Sequence, residues 1–306
     1  MWLGRVLPHI GDAYREGEES FRTHMGASLI GAECPREIWY GFHWTTKPHF
    51  PGRILRLFNR GHLEEGRFIA LMLMCGFQVY QQDEQGKQFR ISHAGGHFGG
   101  SGDGVVIGLP DLAPGQAALA EFKTHSEKSF HELAGSNWKD HVDVLCGRPS
   151  TAKDTNFTGK GVREAKFEHF VQMQMYMRKM GLAVALYEAV NKNDDSIYSE
   201  LVHLDSLLAD QFLERGQLLV FADTPPARIG KSIGFYKCRF CDHKAVCHQK
   251  AAPAVNCRTC KHSRVIDDGT WACVHPTQWG AGVNHTLPKE IQFTACPSYE
   301  ASDFTI

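Results

Sequence analysis

The sequence predicts an α/β sandwich: a mixed central sheet flanked by helices, followed by a small cysteine-rich module. Three observations predict it. A long stretch of helical periodicity precedes a group of short strand-like runs. A second helical stretch and two further strand runs follow, an order that builds a mixed sheet packed between helices. Four of the ten cysteines then fall after residue 250, in a segment too short to bury much apolar surface.

Composition bounds the possibilities. At 306 residues, one large domain with an appendage is expected, with the boundary placed between 1–250 and 251–306. The apolar share of 42% supports a packed core. A net charge of −1 carries no global basic signature, so any nucleic acid must use a local groove. The opening residues have no apolar core of the signal-peptide kind. The most apolar run, Ile69–Phe77, is too short to span a bilayer. A soluble, intracellular, membrane-free protein is expected. In that reducing setting the cysteines read as metal or cluster ligands rather than disulfides.

Ala27–Trp44 reads as helical, with Cys34 followed by Pro35, a residue suited to a first helical turn. Gly52–Gly76 is a long amphipathic helix, because Leu55, Phe58, His62, Phe68, Leu71 and Met72 recur at near-helical spacing and Gly76 closes it. Phe77–Gln82 and Gln88–Ser92 read as hairpin arms around Asp83–Lys87, with Gly86 free for a positive φ. His93–Gly104 holds six glycines, which would let backbone approach a ligand closely. Val105–Ile107 and residues 117–123 read as paired strands. Thr124–Lys166 mixes seven Lys/Arg with six Asp/Glu, and reads either as an insertion lining the site or as a solvated connection. Phe167–Met180 is a helix with Glu168 in its first turn and Arg178 and Lys179 in its last. Met173, Met177 and Met180 form its core stripe, while Gln172 and Tyr176, four apart, mark a polar face. Leu182–Val190 and Tyr198–Leu204 are strands, and Asp205–Leu219 is a final amphipathic helix.

The chemistry concentrates in Ser101–Lys123. Side chains alternate along a strand, so Glu121 and Lys123 share one face while Phe122 enters the core. Asp103 reaches that face from the neighbouring strand. Two carboxylates and an ammonium converging on a sheet edge fit divalent-metal hydrolysis of a phosphodiester. By itself, Glu-Xaa-Lys is equally a solvated strand face.

The ordered set His62, Gly100-Ser101-Gly102-Asp103, Glu121-Phe122-Lys123 and Gln172-Met173-Gln174-Met175-Tyr176 resembles the PD-(D/E)xK nuclease superfamily, in its RecB-like branch with CRISPR-associated and phage exonucleases. The likeness covers residues 25–250. It implies a restriction-endonuclease-like core in which His62, Asp103 and Glu121 hold Mg²⁺ or Mn²⁺. Lys123 would work with the attacking water, and Gln172 and Tyr176 would position substrate and lysine. Gly102 stands where the family pattern has proline. Glu65 is a further acid near His62. The expected activity is a metal-dependent DNA exonuclease acting on single strands or ends. The expected setting is phage recombination, replication or repair in a bacterial cytoplasm, with a recombination or single-strand-binding protein as a possible partner. A structure-specific endonuclease, on DNA or RNA, and a non-catalytic binding module are the alternatives.

In that branch one cysteine before the core and three after it hold a structural [4Fe-4S] cluster, and Cys34, Cys238, Cys241 and Cys247 match. A zinc ribbon from Cys238/Cys241 with Cys257/Cys260 competes on spacing alone. Cys257, Cys260, Cys273 and Cys296 form a second set, outside the resemblance, for which Zn²⁺ is the default. A second cluster, or His262 or His275 in place of a cysteine, is the alternative. Asp268-Gly269 reads as a hairpin turn within this tail, and Cys75 and Cys146 are left as free thiols.

Overall fold

The computed structural model describes residues 10, 12–14, 21–136, 138, 158–276, 280 and 282–304. Cys146, Pro149 and most of the opening segment lie outside the described residues. The observed class is the expected one: mixed α/β, with a mixed sheet flanked by helices and a cysteine-rich C-terminal region.

In chain order the first elements are β1 (Met25–Gly26), α1 (Pro35–Phe42), α2 (Gly52–Met74), β2 (Gln78–Tyr80), β3 (Arg90–His93), β4 (Phe98–Ser101), β5 (Gly104–Ile107) and β6 (Ala117–His125). Next come α3 (Glu127–Ala134), α4 (Gly161–Ala165), α5 (Phe167–Met180), β7 (Val184–Asn191), β8 (Ile197–His203) and α6 (Ser206–Val220). The last are α7 (Lys244–Gln249), β9 (Ser263–Val265), β10 (Trp271–Cys273), β11 (His285–Leu287) and α8 (Lys289–Gln292).

By contact the chain forms two compact units, divided differently from the expected split at residue 250. One unit comprises Arg53–Ile91 and Ser101–Asp210; the other comprises Met1–Gly52, Ser92–Gly100 and Gln211–Ile306. The cysteine-rich tail thus belongs with the N-terminal segment rather than standing alone.

The first of these units is built on a five-stranded sheet of order β2-β5-β6-β7-β8. Only β6 and β7 run parallel; every other neighbour is antiparallel. Alternation places Ala118, Ala120 and Phe122 on one face of β6, where they meet α2. Phe122 stacks on Phe68 of α2 at 5.0 Å between ring centroids and 10° between planes. Met72 joins Val106, Ala118, Val184 and Leu186 further along. The helix ends where glycine allows it, with Gly76 at φ 83° and the Phe77 amide donating back to Met72 O. On the other face α5 and α3 pack against β6 and β7. From Phe170 to Met177 every residue of α5 is buried, so Gln172 and Tyr176 lie inside rather than on a solvated polar face. Gln174 is bound at both ends, donating to His203 O and accepting from the Asp205 amide.

Residues 77–92 pair differently from the expected hairpin. The Asp83–Lys87 turn forms, with Gly86 at φ 73° and the Asp83 carboxylate accepting from the Gln85 and Lys87 amides. Only one bridge, Gln82 with Gln88, follows it. The first arm, β2, pairs with β5 instead, and β3 joins a second small sheet of order β1-β4-β3. The intervening glycine-rich run is itself part strand, β4, paired in parallel with β1.

In the second unit the glycines answer to the chain rather than to a ligand. Gly95 sits at φ 68°, and a Cβ there would run into the Asp267 carbonyl. The Asp268-Gly269 turn between β9 and β10 is present as expected. Arg258 is buried with its guanidinium 3.8 Å from the Trp44 ring centroid, 4.7 Å from Trp271 and 5.3 Å from Phe42. It donates to the carbonyls of Phe42 and Thr23 and to the Gln292 side chain. Trp39, Tyr40, Val246 and Phe304 make a further core.

Phe122→Ala should destabilise the chain by about 3–5 kcal/mol, the usual cost of emptying a buried aromatic site. Urea unfolding followed by tryptophan fluorescence measures it; a loss below about 1 kcal/mol would mean that the Phe68 stack is not a core contact.

Candidate metal centre and two cysteine-lined cavities

Register positions the acidic pair. β5 and β6 pair Gly104 with Ala120, so one step further along the antiparallel ladder Asp103 faces Glu121. The Asp103 Oδ2 accepts from the Phe122 amide at 2.8 Å, which fixes the carboxylate across the strand gap. A Cβ at Gly104 would meet Tyr80 O at 2.9 Å, so this corner tolerates only glycine next to the aspartate. The site lies on the central strand of the sheet, not at the expected edge, because β7 pairs along the far side of β6.

Glu121 has no exposed surface. Its partner is Lys123, two residues on and on the same face, in a close ion pair. Beyond Lys123, neither Glu121 oxygen has a hydrogen-bond partner among the described residues. Burial pushes the Glu121 carboxyl up, Lys123 pulls it down, and Asp103 and Glu65 push it up again. Burial would lower Lys123, but Glu121, Asp103 and Glu65 together hold the ammonium above its ordinary range. Lys123 is therefore a cation at neutral pH, and its side chain keeps 25% of its surface exposed.

α2 supplies the rest. Glu65 is partly buried, and burial, then the Asp103 charge, raise its carboxyl, while His62 and Lys123 oppose the shift. His62 is exposed one turn earlier on the same helix. Glu64, by contrast, pairs with Arg67 at 2.9 Å. Asp103, Glu121 and Glu65 gather beside one ammonium, with His62 exposed on the same helix as Glu65, but no three of these donors lie within 4.8 Å of one another. Hard oxygen donors of this kind suit Mg²⁺ or Mn²⁺, and the buried Oε2 of Glu121, left over by the Lys123 pair, fits such an ion.

Sequence reasoning missed three polar residues on this face. The face of Glu121 and Lys123 continues to His125, whose Nε2 lies 2.9 Å from Tyr187 Oη. His169 Nδ1 of α5 lies 3.0 Å from the same hydroxyl, and Ser129 Oγ lies 3.2 Å from His125 Nδ1. Tyr187 is the register partner of Glu121 on β7. Period-two counting from Lys123 would have found His125. Counting back one turn from Gln172 would have found His169. Tyr187 is visible only through strand pairing. Gln172 and Tyr176 are buried on α5, which packs on β6.

The cysteines resolve into two separate cavities, both within the unit that carries the N-terminal segment. Cys34, at the N-cap position of α1, joins Cys238, Cys241 and Cys247 around one, with Arg36, Glu37 and Lys237 on its walls. Cys257, Cys260, Cys273 and Cys296 surround the other. The zinc ribbon pairing Cys238/Cys241 with Cys257/Cys260 is therefore not formed. His262 and His275 do not line the second cavity; they face each other and Glu300 beside it. Burial pushes the Cys241 thiol up to about 12 and Cys257 up to about 11, so these sulfurs need a bound cation to become thiolates. Cys75 is exposed and free.

No family model matches the sequence, and no curated protein matches it. Among solved structures the chain is similar to LHK-Exo in complex with dAMP, at 16% identity over 65% of this chain and 86% of that one, with a TM-score of 0.40. It is similar to an alkaline exonuclease, LHK-Exo, from Laribacter hongkongensis, at 15% identity over 70% and 90%, with a TM-score of 0.39. It is also similar to SSO0001, at 11% identity over 82% and 100%, with a TM-score of 0.38. Among the described residues no helix is long and apolar enough to cross a membrane.

The buried histidine gives a pH signature. Burial lowers His125 from 6.5 to about 4, with Lys166, Lys192 and Lys123 adding to the shift. The unfolded chain then binds the extra proton, so stability is complete above the ordinary value and is lost as pH falls from there towards the folded one, at about 1.4 kcal/mol per pH unit for this group. The unfolding free energy of His125→Asn should fall less steeply than that of the parent between about pH 6.5 and 4.5. Parallel curves would mean that His125 is protonated in the fold.

Proposed function

We propose that the chain is a metal-dependent nuclease of the PD-(D/E)xK kind that hydrolyses phosphodiester bonds in DNA, most simply as an exonuclease at single strands or ends. The observation that carries this reading is the wholly buried Glu121 beside Lys123, with Asp103 held across from it. A buried carboxylate with one oxygen beyond reach of its lysine partner is costly unless something else binds it, and a divalent cation is the natural occupant. Asp103 and Glu121 would hold Mg²⁺ or Mn²⁺, with Glu65 and His62 completing the shell. Such an ion supplies charge stabilisation at the scissile phosphate.

The chain's own groups do the rest. Lys123, kept charged by three carboxylates, orients the attacking water and offsets negative charge at the phosphate; it does not act as the base while that proton stays on. The hydroxyl of Tyr187 and the imidazoles of His125 and His169 back the pair with a hydrogen-bonded layer that fixes the face. Gln172 and Tyr176 hold α5 against β6 and so position the lysine. LHK-Exo, to which the chain is similar, was crystallised with dAMP, and a nucleotide is the ligand this site would take. Cys34, Cys238, Cys241 and Cys247 would hold a structural [4Fe-4S] cluster, joining the two chain ends within one unit. A cytoplasmic setting in a phage-infected bacterium, with a recombination or single-strand-binding protein nearby, accords with this activity.

Cleavage of end-labelled linear and matched circular single-stranded DNA with Mn²⁺, Mg²⁺ or EDTA tests the reading. Metal-dependent loss of the linear form alone is expected, and cutting of the circle would make the protein an endonuclease. Lys123→Ala should lower the rate by at least about 100-fold while DNA binding persists. Unchanged rates would remove Lys123 from the chemistry. Cys34→Ala should lose as much iron as Cys247→Ala; a Cys34→Ala protein that keeps more iron than Cys247→Ala would break the four-cysteine assignment.

A further inference from the structure

The second cysteine cavity lies outside the nuclease reading, and its dimensions say what it holds. Its four sulfurs come from separate segments. Cys257 opens a short 3-10 turn that Asn256 caps at its N-terminal end, Cys260 follows that turn, Cys273 ends β10, and Cys296 follows α8. The remaining walls are mainly apolar, with Leu287, Ile291 and Ala295 facing the same space. The cavity measures about 200 Å³.

The separation of the sulfurs distinguishes a zinc ion from a larger group. Four thiolates at about 2.3 Å around a tetrahedral ion stand about 3.8 Å from one another. Among the described residues, the only three side chains whose donor atoms all lie within 4.8 Å of each other are His262, His275 and Glu300. No three of the four sulfurs Cys257, Cys260, Cys273 and Cys296 approach that closely. Four cysteines spread around an apolar cavity, too far apart to share one ion, are the arrangement of a cubane ligated at its corners. The Cys34 cavity shares the four cysteines and the sulfur separation, since no three of its sulfurs meet the same limit, but it measures only about 20 Å³, so the separation and not the volume carries the comparison.

We infer that Cys257, Cys260, Cys273 and Cys296 ligate a second [4Fe-4S] cluster, in place of the zinc ion that the spacing suggested, so that one compact unit carries two clusters. The second is structural. It ties the β9–β11 sheet to the segment after α8, as the first ties α1 to α7. His262, His275 and Glu300 stand outside it and are not its ligands.

The full chain purified anaerobically from iron-replete cells decides this by iron, zinc and acid-labile sulfide per chain. About eight iron and eight sulfide are expected. About four iron with about one zinc would overturn the proposal. The paired variant Cys273→Ser, Cys296→Ser should lose half the iron and keep the broad absorbance of the other cluster. The variant Cys34→Ser, Cys247→Ser should lose the other half. Iron that disappears only with Cys273 and Cys296 would still support this site while refuting the first cluster. Loss of zinc alone from the Cys273/Cys296 variant would overturn it. The parent stoichiometry needs no variant to fold, and neither readout depends on nuclease activity.

Discussion

A carboxylate with no exposed surface, set against a lysine two residues away on the same strand, is the constraint around which the five-stranded unit is arranged. Burying either charge alone would cost several kcal/mol; burying them together is tolerable only with fixed geometry. The strand supplies that geometry by its two-residue repeat. The same alternation that puts Glu121 and Lys123 on one face sends Phe122 to the other, where it stacks on Phe68 of α2. The Phe122 amide, in turn, holds Asp103. One three-residue stretch therefore anchors a core helix, orients the neighbouring acid and carries the ion pair, so a shift in any one moves the others.

The second unit rests on a different device. Arg258 lies among three aromatic rings, with its hydrogen bonds spent on backbone carbonyls and on Gln292. A planar, weakly hydrated cation suits such a place better than lysine would. Trp44, stacked on Phe21 at one ring face and on Phe293 at 4.6 Å, extends the cluster. Asn256 ties the same region by donating to Trp44 O. The residues expected to form an independent tail are thus half of a shared core.

Legibility followed the range of the interaction. Elements set by local periodicity, such as α2, α5, β6 and the turn at Asp83–Lys87, were visible in the sequence because their signals lie within a few residues. Glu121 and Lys123 share a face for the same reason, whereas Asp103 reaches them through the β5–β6 register. What was not visible depends on long-range pairing. The β2 strand leaves its hairpin for β5, and Tyr187 reaches Glu121 only through the parallel β6–β7 register. The glycines before Asp103 looked like room for a ligand but serve backbone crossing, Gly95 against Asp267. The polar face assigned to Gln172 and Tyr176 was hidden because α5 is buried all round, which no single-face pattern signals. The family resemblance implied one set of four cysteines and left the other four as a second, but the sequence was silent on how far apart the sulfurs stand.

The convergence of Cys34 with Cys238, Cys241 and Cys247 has a consequence for biosynthesis. Cys34 leaves the ribosome long before its partners exist, and Thr23, Phe42 and Trp44 wait equally long for Arg258. Residues 53–91 and 101–210 carry their own sheet and core, and are all in place before the last cysteine is made. Domains fold as units during synthesis, so the sheet-bearing unit can mature first, while the unit around Arg258 closes only after residues 211–304 have been made.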